Sequence, residues 1–197
     1  MKSLYVKPLL LTAVILLAAF SRIAPHLPNV SPLNAIALFA AAHFTKPWQA
    51  VGVPLVATWI SDLFLNNVTY AQPGQTFVWA YPGFYWQYAA YALIAFGALR
   101  LFSRGHSRWR VAVGVLSAGL TFFAISNFGV WFSGGLYPPT LQGLVACYVA
   151  ALPFYQGTLL GDATYSLLLF GGFHLLQARF PQLAASPQLR WQGASSR

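Results

Sequence analysis

The chain has 197 residues, of which 11 are Lys or Arg and only 2 are Asp or Glu; 7% are charged and 58% are hydrophobic. An ordinary soluble domain carries charge on roughly 25% of its residues, and a mean hydropathy of +0.60 leaves more apolar surface than water tolerates. These figures exclude the soluble enzyme classes and predict an all-α integral membrane protein in the lipid bilayer. The formal charge of +9 does not signal a nucleic-acid partner, because the basic residues lie between apolar runs instead of on one soluble face. A single cysteine, Cys147, excludes an internal disulfide and any paired-cysteine zinc motif.

A spanning helix needs about 20 mostly apolar residues. In chain order the candidate runs are 6–20, 33–44, 48–65, 82–101, 111–132 and 158–178. A shorter run, 140–154, is bounded by Pro138-Pro139 and Pro153. The first run has the basic start of a signal peptide in Lys2 and Lys7. No small-residue cleavage site follows Ala18-Ala19, so it reads as a retained helix.

Basic residues choose between six and seven spans. Six spans with cytoplasmic N- and C-termini put ten of the eleven inside and leave only Arg22 outside; a seventh gives 7:4. The positive-inside rule selects six, with residues 140–154 as a short outer helix between helices 5 and 6. Residues 1–180 then form a single transmembrane domain, and 181–197 a disordered cytoplasmic tail. No internal repeat supports an inverted-repeat transporter. Asn67-Val68-Thr69 matches a short glycosylation sequon.

This topology gathers Arg22, Asp62 near the outer end of helix 3, Asp162 near the outer start of helix 6, and Asn127 in the outer leaflet. Ionisable groups at such depth face a bundle interior or a watery cavity. Two compatible readings follow: a polar rim for an external site, or an Arg22–Asp62 or Arg22–Asp162 pair pinning helices together. Between helices 3 and 4, the polar residues 66–75 give way to Phe77, Trp79, Tyr81, Phe84, Tyr85 and Trp86. They read either as an interfacial aromatic belt or as an apolar wall for a large planar ligand, which Trp131 and Tyr137 extend.

Catalytic constellations fail on geometry. Ser133 ends helix 5 outside while His174 lies about 24 Å deeper at 1.5 Å per residue, beyond hydrogen-bond reach. His26 is outside and His43, His106 and His174 inside, so no metal cluster forms. Cys147 reads as a small buried hydrophobe, or as the only soft ligand on the outer side. The residues 100–110 stretch, with four arginines, anchors helices 4 and 5 or docks a cytoplasmic partner. Ala37 and Ala41, four apart, suit close helix packing.

The order and spacing of several short motifs carry a resemblance. They are Arg22-x-x-Pro25-His26-x-Pro28-Asn29-x-Ser31-Pro32, Ser61-Asp62, Asn127-Phe128-Gly129-Val130-Trp131, Tyr137-Pro138, Gly143-Leu144, Cys147-Tyr148, Pro153-Phe154 and Leu160-Gly161-Asp162. Together they are similar to the small bacterial vitamin B12 transporters of the BtuM type, relatives of the S-components of energy-coupling-factor transporters. The resemblance covers residues 22–172. It implies an S-component-like bundle of six transmembrane helices that holds cobalamin at the periplasmic side as transported ligand, with no cofactor of its own. It also implies uptake without a dedicated energising module, an energy-coupling-factor complex being the alternative. Many members carry a cobalt-ligating cysteine near the start of helix 4 that assists decyanation. Ala80 aligns with it, before Pro82, which is expected to open that helix. Alanine cannot ligate, so the chain is either a member without this ligand or a Cys→Ala variant. Cys147 and His26 are the remaining axial-ligand candidates. The expected substrate-binding set is Arg22, Asn29, Asp62, Trp79, Ala80, Tyr81, Phe84, Tyr85, Asn127, Trp131, Tyr137 and Asp162. Uptake of another vitamin with a separate energising module, and a non-transporting membrane scaffold, are the alternatives.

Overall fold

In a computed structural model, which describes residues 3–24 and 27–183, every regular element is helical. The long elements are α1 (Ser3–Phe20), α2 (Leu33–His43), α3 (Pro47–Phe64), α4 (Phe84–Leu101), α5 (Arg108–Phe132) and α6 (Leu141–Ser166). A π-helical turn, Leu167–Gly171, carries α6 without interruption into α7 (Gly172–Arg179). Local chemistry sets the starts. Pro47 sits in the first turn of α3, Ser107 Oγ accepts from Arg110 N at 3.3 Å, and Thr140 Oγ1 accepts from Gly143 N at 3.1 Å.

Among the described residues four helical stretches are long and apolar enough to cross a membrane: Val6–Ile23, Pro47–Thr69, Arg108–Phe132 and Leu141–Arg179. Their length and composition are those of membrane spans. α4 is as long as α3, but Gln87, its tyrosines and Arg100 make it less apolar. α2 has only 11 residues, about 16 Å, roughly half the hydrocarbon thickness. Of the six transmembrane helices expected, the helix lengths and composition therefore give four stretches that qualify as spans.

Residues 140–154, expected as a separate outer helix, are the first half of α6. Pro153 sits inside that helix without breaking it. Proline removes one backbone hydrogen bond, which packed membrane helices tolerate. The resulting 39-residue rod, Leu141–Arg179, is about 58 Å long. Asp162 consequently lies midway along the rod instead of near an outer helix start. Residues 181–183, expected to open a disordered tail, form a 3-10 turn with Leu183 buried. Lys2, Pro25, His26, Arg190, Arg197 and the rest of the tail lie outside the described residues.

α2 is the hub. It packs against α1, α3, α4, α5 and α6, and ten of its 11 residues are buried. Lipid is as apolar as leucine, so burial by itself does little to hold membrane helices together; close packing does. Ala35, Ala37, Ala40 and Ala41, each at most 3% exposed, provide it. Ala37 and Ala41 are thus internal packing residues. α5 runs antiparallel to α6, with Tyr148 Oη donating to Ala124 O at 2.6 Å. One end of the bundle carries the 70–83 connection (the loop end). The other carries residues 100–110 (the arginine end).

The non-helical lead into α2 lies against α6 at two glycines spaced four apart. A Cβ on Gly157 would sit 2.3 Å from Pro28 O, and one on Gly161 would sit 2.6 Å from Ser31 N. Both contacts are with backbone, which cannot swing aside. Gly161→Ala is expected to lower stability by about 1–3 kcal/mol, read as a drop in Tm in detergent. Gly97→Ala, where a new Cβ meets nothing within 4 Å, leaves Tm unchanged or raises it.

Candidate functional site

A cavity of about 200 Å3 opens over the N-terminal end of α2 toward the loop end. Its polar lining comes from Arg22, Asn29, Ser31, Asn34 and Asp162, with Tyr70, Gln87 and Thr158 above them. Tyr91 and Phe122, stacked with ring centroids 5.4 Å apart, form an aromatic side.

Arg22 projects from a short 3-10 turn, Ser21–Ile23, that ends α1. Its Nη1 donates to Asp62 Oδ1 at 2.7 Å and to Ser61 Oγ at 2.9 Å. Tyr88 Oη donates to the other carboxylate oxygen of Asp62 at 2.7 Å. Of the two pairings open to Arg22, the structure makes Arg22–Asp62. This group ties α1, α3 and α4 together at the cavity wall. Tyr81, in the connection before α4, lies close by. Burial and the neighbouring Asp62 carboxylate push its phenol above the ordinary range, so it stays protonated.

Asp162, 1% exposed, lies deeper. Asn34 Nδ2 donates to its Oδ2 at 2.9 Å. Gly119 of α5 makes room for the carboxylate, since a Cβ there would stand 3.3 Å from Asp162 Oδ2.

The other expected site residues do not line this cavity. Trp79 is 66% exposed and Tyr85 53% exposed on the loop end. Phe77 and Trp79 make an edge contact at 4.7 Å, and Trp59 Nε1 donates to Trp79 O at 3.1 Å. Phe84 packs on Tyr88 and Tyr85. Asn127 turns its Nδ2 back to Phe123 O at 2.8 Å. Trp131 Nε1 donates to Pro138 O at 3.1 Å, and Tyr137 follows, half-buried, in the otherwise exposed turn before α6. Cys147 is buried in the α5–α6 seam, where Sγ donates to Asn127 O at 3.4 Å.

Ala80 is exposed, and α4 starts at Phe84, not at Pro82. Gly83, with φ 79°, caps that helix, and Pro82 belongs to the turn closed by Phe84 N to Tyr81 O at 3.1 Å. A thiol at position 80 would therefore stand one turn outside the helix. The N-terminal end of the helix dipole, whose effect falls off within the first turn, would not activate it.

At the arginine end His43 and His106 approach to 4.7 Å between ring centroids, packed on Phe170. Burial, with Lys7 nearby, holds the His106 imidazole below its ordinary range. His174 is exposed on α7. Among the described residues no three His, Cys, Asp or Glu side chains converge as a metal set.

Asn34, Gln87 and Tyr91 escaped the sequence reading, and Ser31 entered it only as part of the opening motif, not as a site residue. Asn34 carried a signal: it is the one amide in an otherwise apolar run, residues 33–44. Gln87 was hidden among aromatics.

The fold is thus an all-helical bundle, with helices of membrane-spanning length and apolarity, around a polar cavity. The chain belongs to DUF6580, a family of unknown function whose model matches residues 2–183. No curated protein and no solved structure matches it.

Removing one partner of a buried ion pair strands the other. Arg22→Met is expected to cost about 3–5 kcal/mol of stability, read by thermal unfolding in detergent. Adding Asp62→Asn, which removes the stranded charge yet still accepts from Tyr88, is expected to restore most of the loss.

Proposed function

We propose that this protein binds a solute at its loop end and serves the uptake of that solute across a bacterial inner membrane. The observation that carries this reading is the cavity: Arg22, Asn29, Ser31, Asn34 and Asp162 converge over a half-length helix in an otherwise apolar bundle. Polar groups are kept at membrane depth where they meet a substrate or an ion. On this reading the loop end faces the periplasm and the arginine end the cytoplasm, in keeping with the positive-inside rule.

Cobalamin is the solute to which the BtuM resemblance points. A corrin is too large for about 200 Å3, so it would rest on the exposed Phe77, Trp79 and Tyr85 with a polar arm reaching toward Asn29 and Arg22. Without a thiol at position 80 the protein would be a binder and transporter, not a decyanating enzyme. It would have no cofactor of its own and no nucleic-acid partner. Its energy would come from an energy-coupling-factor complex or from no dedicated module.

A second reading has an observation in its favour. The cavity is smaller than the ~300–1,000 Å3 usual for small-molecule pockets, which suits a vitamin smaller than a corrinoid served by a separate energising module.

Calorimetric titration of the purified protein with cyanocobalamin separates the two. The first reading expects one bound cobalamin with an unaltered visible spectrum, and a spectral shift when Ala80→Cys is introduced. It also expects Trp79→Ala with Tyr85→Ala to weaken binding about tenfold, the scale of an aromatic hot spot. No heat and no bound pigment would remove cobalamin and leave the smaller solute. Rescue of a B12-uptake-deficient strain by this gene alone would tell against a required module.

A further inference from the structure

The two acidic residues of the chain sit in opposite environments. Asp62 has a cation and a phenol on its carboxylate. Asp162 is more deeply buried, yet among the described residues its single hydrogen-bond partner is the neutral amide of Asn34. One amide bond does not replace the hydration that a carboxylate loses at this depth, and a group so placed is neutralised by protonation instead.

The surroundings of Asp162 add a second observation. Among the described residues four buried side-chain polar atoms make no hydrogen bond: Ser31 Oγ, Asn34 Oδ1, Ser166 Oγ and Trp86 Nε1. Three of the four flank Asp162. Asn34 touches it, Ser166 follows one helical turn along α6, and Ser31 lies against the preceding residue, Gly161. Orphaned buried oxygens are rare, and a cluster of them marks a place where protons or water are handled. Asn34 suits both states of an acid. Its Nδ2 donates to a carboxylate, and after an amide flip its Oδ1 accepts from a carboxylic O–H.

The facing groups agree. α2 presents Asn34 and α5 presents Gly119 to the carboxylate. Arg22 and Tyr91 line the same cavity, but Arg22 is committed to Asp62. His43 lies at the far end of α2, nine residues from Asn34, or about 14 Å. Tyr165, on the Asp162 helix, accepts from Ser21 Oγ at 3.0 Å instead.

We propose that Asp162 is a proton-binding site in the floor of the cavity, with Asn34 as its positioning residue. A hydronium ion entering from the loop end leaves its proton on an Asp162 oxygen and departs as water; hydration of the opened cavity reverses the step. If the cavity takes a solute, which rests on the function proposed above, solute binding and proton binding at Asp162 are coupled.

The test needs no solute at first. Infrared spectra of the full chain in lipid nanodiscs are recorded from acid to alkaline pH, with thermal melts showing each variant folded. Few carboxyl groups exist to be confused, so a side-chain carboxylic C=O band is readily assigned. The expected result is one such band that vanishes as pH rises, is absent in Asp162→Asn and persists in Asp62→Asn. Asn34→Ala is expected to keep the band at a shifted frequency, which a merely structural role for Asn34 would not produce. No carboxylic band at any pH in the folded wild type, or a band surviving in Asp162→Asn, overturns the proposal. Calorimetry with cyanocobalamin across the same pH range then reads the coupling. Affinity is expected to vary with pH in the wild type and to become flat in Asp162→Asn; equal pH dependence in both overturns the coupling. A titrating band without cobalamin binding refutes cobalamin as the solute and leaves the proton site standing. Cobalamin binding without the band does the reverse.

Discussion

A helix of 11 residues sealed at the centre of an apolar bundle imposes a condition on everything around it. Its first backbone N–H groups have no intrahelical acceptor, and the chain leading to it has to cross half the bundle without helical hydrogen bonds. Non-helical backbone at membrane depth is tolerated only where protein covers it or where it lines a cavity. Both solutions are used here. Gly157 and Gly161 let residues 28–31 lie directly on α6, and Pro32 starts α2 with no N–H to satisfy. Where neither helix nor glycine seat covers the backbone, the cavity opens. Arg22 from the 3-10 turn, Asn29 and Ser31 from the irregular lead, and Asn34 from the first turn of α2 meet there.

The same condition sorts the charges. Arg22 leaves α1 just where the helical ladder ends, which gives its guanidinium the reach to satisfy Asp62 and Ser61 together. That ion pair is structural: it joins three elements and has Tyr88 to complete it. Asp162 sits where α2 begins, opposite a glycine of α5, with a neutral partner. A bundle that needed only a second clamp would be better served by a basic residue at position 34. An amide holds the acid in place without fixing its charge.

Much of this was legible in the amino-acid sequence, though not evenly. Membrane character followed from the scarcity of charge, and the outlying residues Arg22, Asp62 and Asp162 pointed toward one region because charge at depth is costly. The depth of Asp162 was not legible. It depended on whether Pro153 ends a helix, and proline is a far weaker breaker among packed membrane helices than in water. Neither was the role of the aromatic run. Spacing alone could not say that Trp79 and Tyr85 face outward while Gln87 and Tyr91, two and six residues beyond Tyr85, face the cavity. Asn34 was legible in principle, since an amide within an alanine-rich buried helix has to be satisfied by something.

The two ends of α2 cannot be considered apart. Its start is the cavity floor. Its last turn is locked at the arginine end, where Phe39 meets Phe170 and Phe173 edge-on at 5.6 and 5.5 Å and His43 bonds back to Phe39 O. His106, from the connection between α4 and α5, closes on the same rings, and Lys7 of α1 stands 5.9 Å over Phe173. Packed aromatic clusters rearrange between discrete arrangements and do not deform smoothly. Any widening of the cavity that moves α2 therefore has to break this cluster, and α6 contributes both Asp162 on one side of α2 and, through its π-helical turn, Phe170 on the other. A helix too short to span the bilayer thus reaches both of its faces through its neighbours. The cavity and the basic end share one rigid element between them.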